Sequence, residues 1–171
     1  YFQNAGASAD LSPAILDRTL FHCTNSYYIP HVKATGYSCR TNLPSNTAFR
    51  GFGGPQGKFV IECAIYKAAV IMGKDASEIQ RINLLKEGDE FHFGQKAVNV
   101  HTENTWKLAE EKFQPEKITE RIRKFNRENK NFKKGFAFMP ICFGIAFTNT
   151  RMNQANALVN IYLDGSISFS T

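Results

Sequence analysis

The 171-residue sequence predicts an α+β fold, with several helices packed on a mixed or antiparallel sheet and a C-terminal β-hairpin, forming part of a larger domain. Three observations carry that expectation. A helix-length apolar run extends from Phe59 to Met72. Capped, charged helical patterns cover residues 75–85 and 115–129. Short strand-like stretches lie at 32–41 and 157–170, the latter folded about Asp164-Gly165.

Taken in order, residues 1–5 read as a short extended segment. Ser12-Pro13 reads as an N-cap with proline in the first turn, opening a helix that buries Ile15, Leu16, Leu20 and Phe21 and ends near Asn25. Ile29-Pro30 breaks the pattern, and residues 32–41 are expected as a strand. TNLPSNTAFRGFGGPQG is polar, aperiodic and rich in turn formers, hence a loop. A helix starting near Gly54-Pro55 follows. Its apolar residues cover more than one face, so it should be largely buried, with Gly73 as C-cap. Asp75 and Glu78 have capping-box spacing for a helix to about Leu85. Residues 86–101 look irregular. Helices are expected around Trp106 and from Pro115 to about Asn129, then a strand from Gly135 to Phe147 interrupted by Pro140. A sub-boundary near 130–135 would separate this last part. The sequence stops within a strand-like run, which suggests a fragment with a cut sheet edge.

Composition excludes some functions. Hydrophobic residues make up 43% and charged residues 21%, an ordinary globular balance, and 15 phenylalanines supply core material. The net charge of +6 is concentrated in residues 112–134, where acidic and basic residues alternate at three or four positions. That pattern is a solvated helix face, and no RNA- or DNA-binding motif accompanies it. Cys23, Cys39, Cys63 and Cys142 match neither a zinc site nor a disulfide framework and are expected as free thiols in a reducing compartment. The histidines His22, His31, His92 and His101 lack metal-site spacing and read as structural. There is no membrane-length apolar run.

The loop RGFGGPQG, residues 50–57, is the first candidate site. It is not a dinucleotide fingerprint, because Gln56 occupies the third glycine position. It is not a P-loop, because no Gly-Lys-Ser/Thr follows. Its glycines permit close backbone approach, and its amides with the following helix N-terminus can form an anion-binding concavity. Phe52, flanked by glycines, must pack under another segment or face a ligand. Phe147-Thr148 pairs an aromatic with a hydroxyl, suited to a flat polar ring. Taken by itself, Arg18 reads as solvated or paired with a carboxylate.

TNLPSNTAFRGFGGPQG strongly resembles the molybdenum-cofactor domain of the xanthine dehydrogenase (molybdenum hydroxylase) family. DRTLFH (17–22), INLLKEGD (82–89), KFNREN (124–129), FGIAFT (143–148), MNQANALVNIY (152–162) and DGSI (164–167) look like that family's counterparts in the same order. YFQNAGASADLS fits the same pattern, so YFQ reads as native rather than as a tag remnant. The resemblance implies residues 1–171 of a molybdenum–molybdopterin domain. Arg50, Gly51, Phe52 and Gly53 would form the cofactor loop, and Phe52 would also lie face-on to a purine. Phe147 would meet the purine edge-on, Thr148 would hydrogen bond to it, and Arg18 would stabilise developing negative charge. It further implies conversion of hypoxanthine to xanthine and urate, with electrons passing through 2Fe–2S clusters and FAD in other domains to NAD, in a homodimeric, cytoplasmic or peroxisomal parent. The family's general-base glutamate has no counterpart among these residues, so the fragment alone is expected to be inactive. An aldehyde oxidase relative and a basic non-catalytic binding module are the alternatives; aldehyde oxidases typically lack the arginine matched by Arg18.

Overall fold

Five helices and two separate two-stranded sheets build the α+β fold, in the order β1 (Phe2–Gly6), α1 (Ser12–Phe21), β2 (Tyr37–Arg40), α2 (Gly54–Met72), α3 (Ala76–Ile82), α4 (Thr102–Phe113), α5 (Pro115–Glu128), β3 (Leu158–Ile161) and β4 (Ile167–Ser170). The computed structural model describes residues 1–171. β1 and β2 are parallel, with Phe2 opposite Tyr37 and a bulge between Asn4 and Gly6, and α1 makes the crossover between them. The strand expected over 32–41 shrinks to four residues because its partner β1 has only five.

Helix α1 starts differently from the sequence expectation. Leu11 is its N-cap, without a side-chain cap, and the Ser12 hydroxyl donates instead to the Asn46 carbonyl at 2.6 Å. The helix ends at Phe21, and residues 22–26 form turns in which Asn25 has a φ of +50°. Ile15, Leu16, Arg18 and Thr19 are all buried, so α1 is covered on its polar as well as its apolar side.

Helix α2 ends at Gly73 in the left-handed conformation, as expected. It is not largely buried, however: Ile65 and Ala69 face α1 and α3, while Phe59, Tyr66, Val70, Ile71 and Met72 are exposed. Packing partners cover one face only, so apolar residues around the rest of the helix stay open. Asp75 and Glu78 form the expected capping box on α3. Hydrogen bonds from Ser77 hold the Asp75 carboxyl below the usual range, and the Lys74 ammonium does the same for Glu78.

Tyr27, Ile65, Leu84 and Trp106 form the core, with Phe138 edge-on to Trp106 at 4.6 Å between ring centres. Beside it, Glu62 accepts from the Tyr27 hydroxyl (2.7 Å) and Asn25 (2.9 Å) on one oxygen and from Gln80 (2.8 Å) on the other. Burial first, and Glu62 second, push the Tyr27 hydroxyl pKa up, so it remains a donor. Tyr27→Phe should therefore cost about 2 kcal/mol, the scale of a part-buried hydrogen bond to a charged group, read from urea unfolding.

The expected strand at 135–147 is absent; no regular element occurs between α5 and a short 3-10 turn at Thr150–Met152. Its backbone groups are claimed by side chains instead. Asn25 donates to the Pro140 carbonyl and accepts from the Cys142 amide, and the Gly144 amide donates to His22. The segment is a strap laid across the end of α1. Helices α4 and α5 and the hairpin form where expected, with Leu158 opposite Ser170 and Gly165 at a φ of +82° in the turn. The chain's ion pairs, Lys74–Glu78 and Arg81–Glu110, leave the charges of α5 solvated. All four cysteines are free. No helix is long and apolar enough to cross a membrane.

Candidate functional site

The glycine loop is a tight double turn feeding α2. Phe52 donates its amide to the Phe49 carbonyl (2.9 Å), and Gly54 to the Gly51 carbonyl (2.8 Å). Gly51, Phe52 and Gly53 have φ values of +90°, +42° and +97°. A phenylalanine in the left-handed region costs of order 1 kcal/mol, and the flanking hydrogen bonds hold it there. At Gly53 the backbone lies against α1: a Cβ there would collide with the Ile15 carbonyl oxygen. The Gly53 carbonyl lies 3.0 Å from the Thr19 hydroxyl. The amides of Gly51 and Gly53 have no partner within the chain, and Arg50 is exposed beside them.

The strap supplies the opposite side. Arg18, only 5% exposed, donates one terminal nitrogen to the Gly144 carbonyl and the other to the Ala146 carbonyl. It is therefore neither solvated nor paired with a carboxylate. Burial pushes its pKa down, but a guanidinium stays charged. The Phe147 peptide is gripped on both sides by Asn153, which accepts from its amide (2.8 Å) and donates to its carbonyl (3.1 Å). Asn153 belongs to the MNQ stretch after the 3-10 turn, so that turn sets where Phe147 sits.

Loop and strap meet at the aromatic pair. Phe52 and Phe147 lie 5.4 Å apart between ring centres at 55°, a corner rather than a parallel slot. The Thr148 hydroxyl and the Arg18 Nε are buried without hydrogen-bond partners. Arg18, Phe52, Phe147 and Thr148 thus come from three segments, α1, the glycine loop and the strap, with α1 and the strap joined through Arg18 and Gly144, 126 residues apart. Arg50, Gly51 and Gly53 flank Phe52 on the same loop and make no hydrogen bond to the strap.

Three further residues at the site, Phe143, Lys58 and His22, carry no motif of a site role in the sequence. Phe143 packs against Gly54, with the Arg18 guanidinium 5.1 Å and the Lys58 ammonium 4.7 Å from its ring centre and the His22 ring at 5.0 Å. Lys58, 7% exposed, has its pKa pushed down by burial. His22 accepts from the Gly144 amide at 2.8 Å and is pushed down to about 4, by burial first and then by Lys58 and Arg18. The i, i+4 spacing of Arg18 and His22 at the end of one helix was the available signal.

Models of the molybdopterin cofactor-binding domain match residues 1–84 and 108–171. The chain belongs to the molybdopterin cofactor-binding domain family. Relatives of this molybdopterin cofactor-binding domain include a xanthine dehydrogenase/oxidase of Mus musculus, 46% identical over 98% of this chain and 12% of that protein. A xanthine dehydrogenase of Drosophila pseudoobscura pseudoobscura is 48% identical over 99% of the chain and 13% of that protein. One from Dictyostelium discoideum is 41% identical over 97% and 12%. The chain thus spans only about an eighth of these proteins' length. Among solved structures, the aldehyde oxidoreductase of Desulfovibrio gigas shares the fold with a TM-score of 0.65, at 20% identity over 99% of this chain and 18% of that one. The aldehyde oxidoreductase of Desulfovibrio desulfuricans gives 0.63, at 24% identity over 72% and 13%.

The loop at residues 50–53 has groups that fit a molybdopterin. A pterin bearing phosphate and ring heteroatoms offers acceptors, and the loop offers the unpartnered amide of half-buried Gly51 with an exposed guanidinium at Arg50, while the unpartnered Gly53 amide lies in a buried residue behind them. Gly51 carries no side chain that would block approach.

Proposed function

We propose that this chain is part of a xanthine dehydrogenase-type molybdenum hydroxylase that oxidises purines, hypoxanthine to xanthine and xanthine to urate. The observation that carries the reading is a buried guanidinium, pinned by two carbonyls, beside the aromatic corner of Phe52 and Phe147 and the unpartnered Thr148 hydroxyl. Arg50, Gly51, Phe52 and Gly53 would hold the molybdenum–molybdopterin group. When bound, that group supplies the two-electron oxidation and the water-derived oxygen. Electrons would leave through 2Fe–2S and FAD groups carried outside these residues, to NAD.

The chain's own residues bind and orient. A planar ring lies face-on against Phe52 and meets the edge of Phe147, since rings set at 55° form a wall and a stop. Thr148 hydrogen bonds to a polar edge of that ring. Hydroxylating a ring carbon pushes negative charge onto the heterocycle. Arg18, already fixed by the Gly144 and Ala146 carbonyls, stabilises that charge without reorganising. Each terminal nitrogen has a second hydrogen for the substrate.

A substrate panel on the intact enzyme tests this. Hypoxanthine and xanthine should be turned over with higher kcat/KM than aromatic aldehydes; the reverse order would favour an aldehyde oxidase activity. Phe147→Ala should raise the purine KM about tenfold, the scale of one lost aromatic contact, and leave a small aliphatic aldehyde nearly unaffected.

A further inference from the structure

Arg18 on α1 and His22, the C-cap of that helix one turn later, hold the same residue, Gly144, by its two flanking peptide groups. Arg18 donates to the Gly144 carbonyl, and the Gly144 amide donates to His22 Nε2 at 2.8 Å. A Cβ on residue 144 would stand 3.2 Å from Arg18 Nη1 and 3.6 Å from His22 Cε1, so an alanine there would press on the arginine and shift the contact by a few tenths of an ångström. Three and four residues further along are Phe147 and Thr148. The two side chains hold the strap near its middle, and the strap carries half of the pocket.

The direction of the His22 bond fixes its protonation. An N–H points at Nε2, so that nitrogen must present its lone pair, and the ring is the neutral Nδ1–H tautomer. An imidazolium would face the amide donor to donor. The charged and titratable groups around the ring favour neutrality: Lys58 from α2, Arg18 from α1 and His92 from the segment after α3, while Cys142 on the strap faces Lys58 and burial holds its thiol pKa up. No carboxylate pairs with any of them.

We propose that His22 is a positioning residue for the purine pocket, whose unprotonated Nε2 holds the Gly144 peptide and, through it, Phe147 and Thr148. The proposal rests on the purine reading above. His22 does not touch substrate in this scheme; it sets where the edge-on ring and the hydroxyl stand.

The test uses the intact molybdenum enzyme, assayed with xanthine and with a small aliphatic aldehyde. His22→Met removes the acceptor and should raise the xanthine KM roughly tenfold, with kcat and the aldehyde KM changed by less than about threefold. His22→Gln places a neutral oxygen acceptor near the same point and should restore the xanthine KM to within about threefold of wild type. A merely structural role would let both variants lose both activities together. Wild-type xanthine KM in the Met variant, or no recovery in the Gln variant, overturns the proposal. Should the Met variant fail to accumulate, Gly144→Ala crowds Arg18 Nη1 and the His22 ring and shifts the same residue away from both. The same selective KM rise supports the proposal, and its absence overturns it. Wild-type enzyme that does not oxidise xanthine overturns the purine reading separately. The Met and Gln variants are then compared on whichever aromatic substrate is turned over, against the same two outcomes.

Discussion

Replacing Arg18 by methionine in the intact enzyme should lower kcat/KM for xanthine by about 10²–10³-fold, the scale of one preorganised donor removed from a developing anion. Aldehyde oxidation should fall by about tenfold or less, because no comparable charge develops on a ring there. The structure separates two contributions within that loss. One is electrostatic: the charge at Arg18 is held in place before the reaction by the Gly144 and Ala146 carbonyls, so none of its effect is spent on orienting it. The other is architectural: methionine leaves those two carbonyls without their donor, at about 1–3 kcal/mol for each one that stays buried. The architectural part acts on both substrates, whereas the electrostatic part acts on the purine alone.

Arg18→Lys divides them further. A lysine keeps the charge but lacks the planar fork that spans two carbonyls. It should recover part of the xanthine kcat while leaving KM raised, because the strap is held at one point instead of two. Equal losses of purine and aldehyde turnover in the methionine variant would reduce Arg18 to a strap anchor and remove it from substrate chemistry. Thermal midpoints of both variants, measured beside the kinetics, report the architectural part directly.

Which parts of this molecule were legible in the sequence follows from where each element finds its partners. The capping box at Asp75 and Glu78, the Gly73 cap and the Asp164-Gly165 hairpin are local chemistry, complete within a few residues, and they formed as read. The strap was misread as a strand because its apolar composition mimics one. Its hydrogen-bond partners are side chains of Arg18, His22 and Asn25, more than 110 residues upstream, which no periodicity encodes. Ser12 has the composition of an N-cap but lies within reach of Asn46, a tertiary contact that won over the local one. Helix α2 carries apolar residues on all sides, and composition alone does not say which sides find a neighbour; here Ile65 and Ala69 do, and Tyr66 and Ile71 do not. Among the candidate site residues, Phe52 and the Phe147-Thr148 pair stand out in the sequence itself, whereas Arg18 became a candidate only through family resemblance. Their neighbours His22, Lys58 and Phe143 carry no motif and emerge only from the packing.

Gly53→Ala should be the most damaging single substitution in the loop, destabilising the protein by about 4 kcal/mol, which is a large part of a typical folding free energy. Two costs add at this position. Gly53 has a φ of +97°, which an alanine adopts only under strain of about 1–3 kcal/mol. An added Cβ would also collide with the Ile15 carbonyl and press on the Thr19 amide, both backbone atoms of α1 that cannot swing aside. Relief requires the loop to lift from α1, which breaks the Thr19 contact to the Gly53 carbonyl and moves Phe52 away from Phe147. Gly73→Ala supplies the control. It too has a positive φ, +62°, but nothing lies within 4 Å of its added Cβ, so only the conformational cost of about 1 kcal/mol applies. Thermal midpoint and soluble yield of the intact protein should therefore drop sharply for residue 53 and slightly for residue 73. Equal drops would mean that the loop does not depend on its close seat against α1. The glycines of this loop would then serve conformation alone, and the contact that joins the glycine loop to the arginine-bearing helix would lose its structural importance.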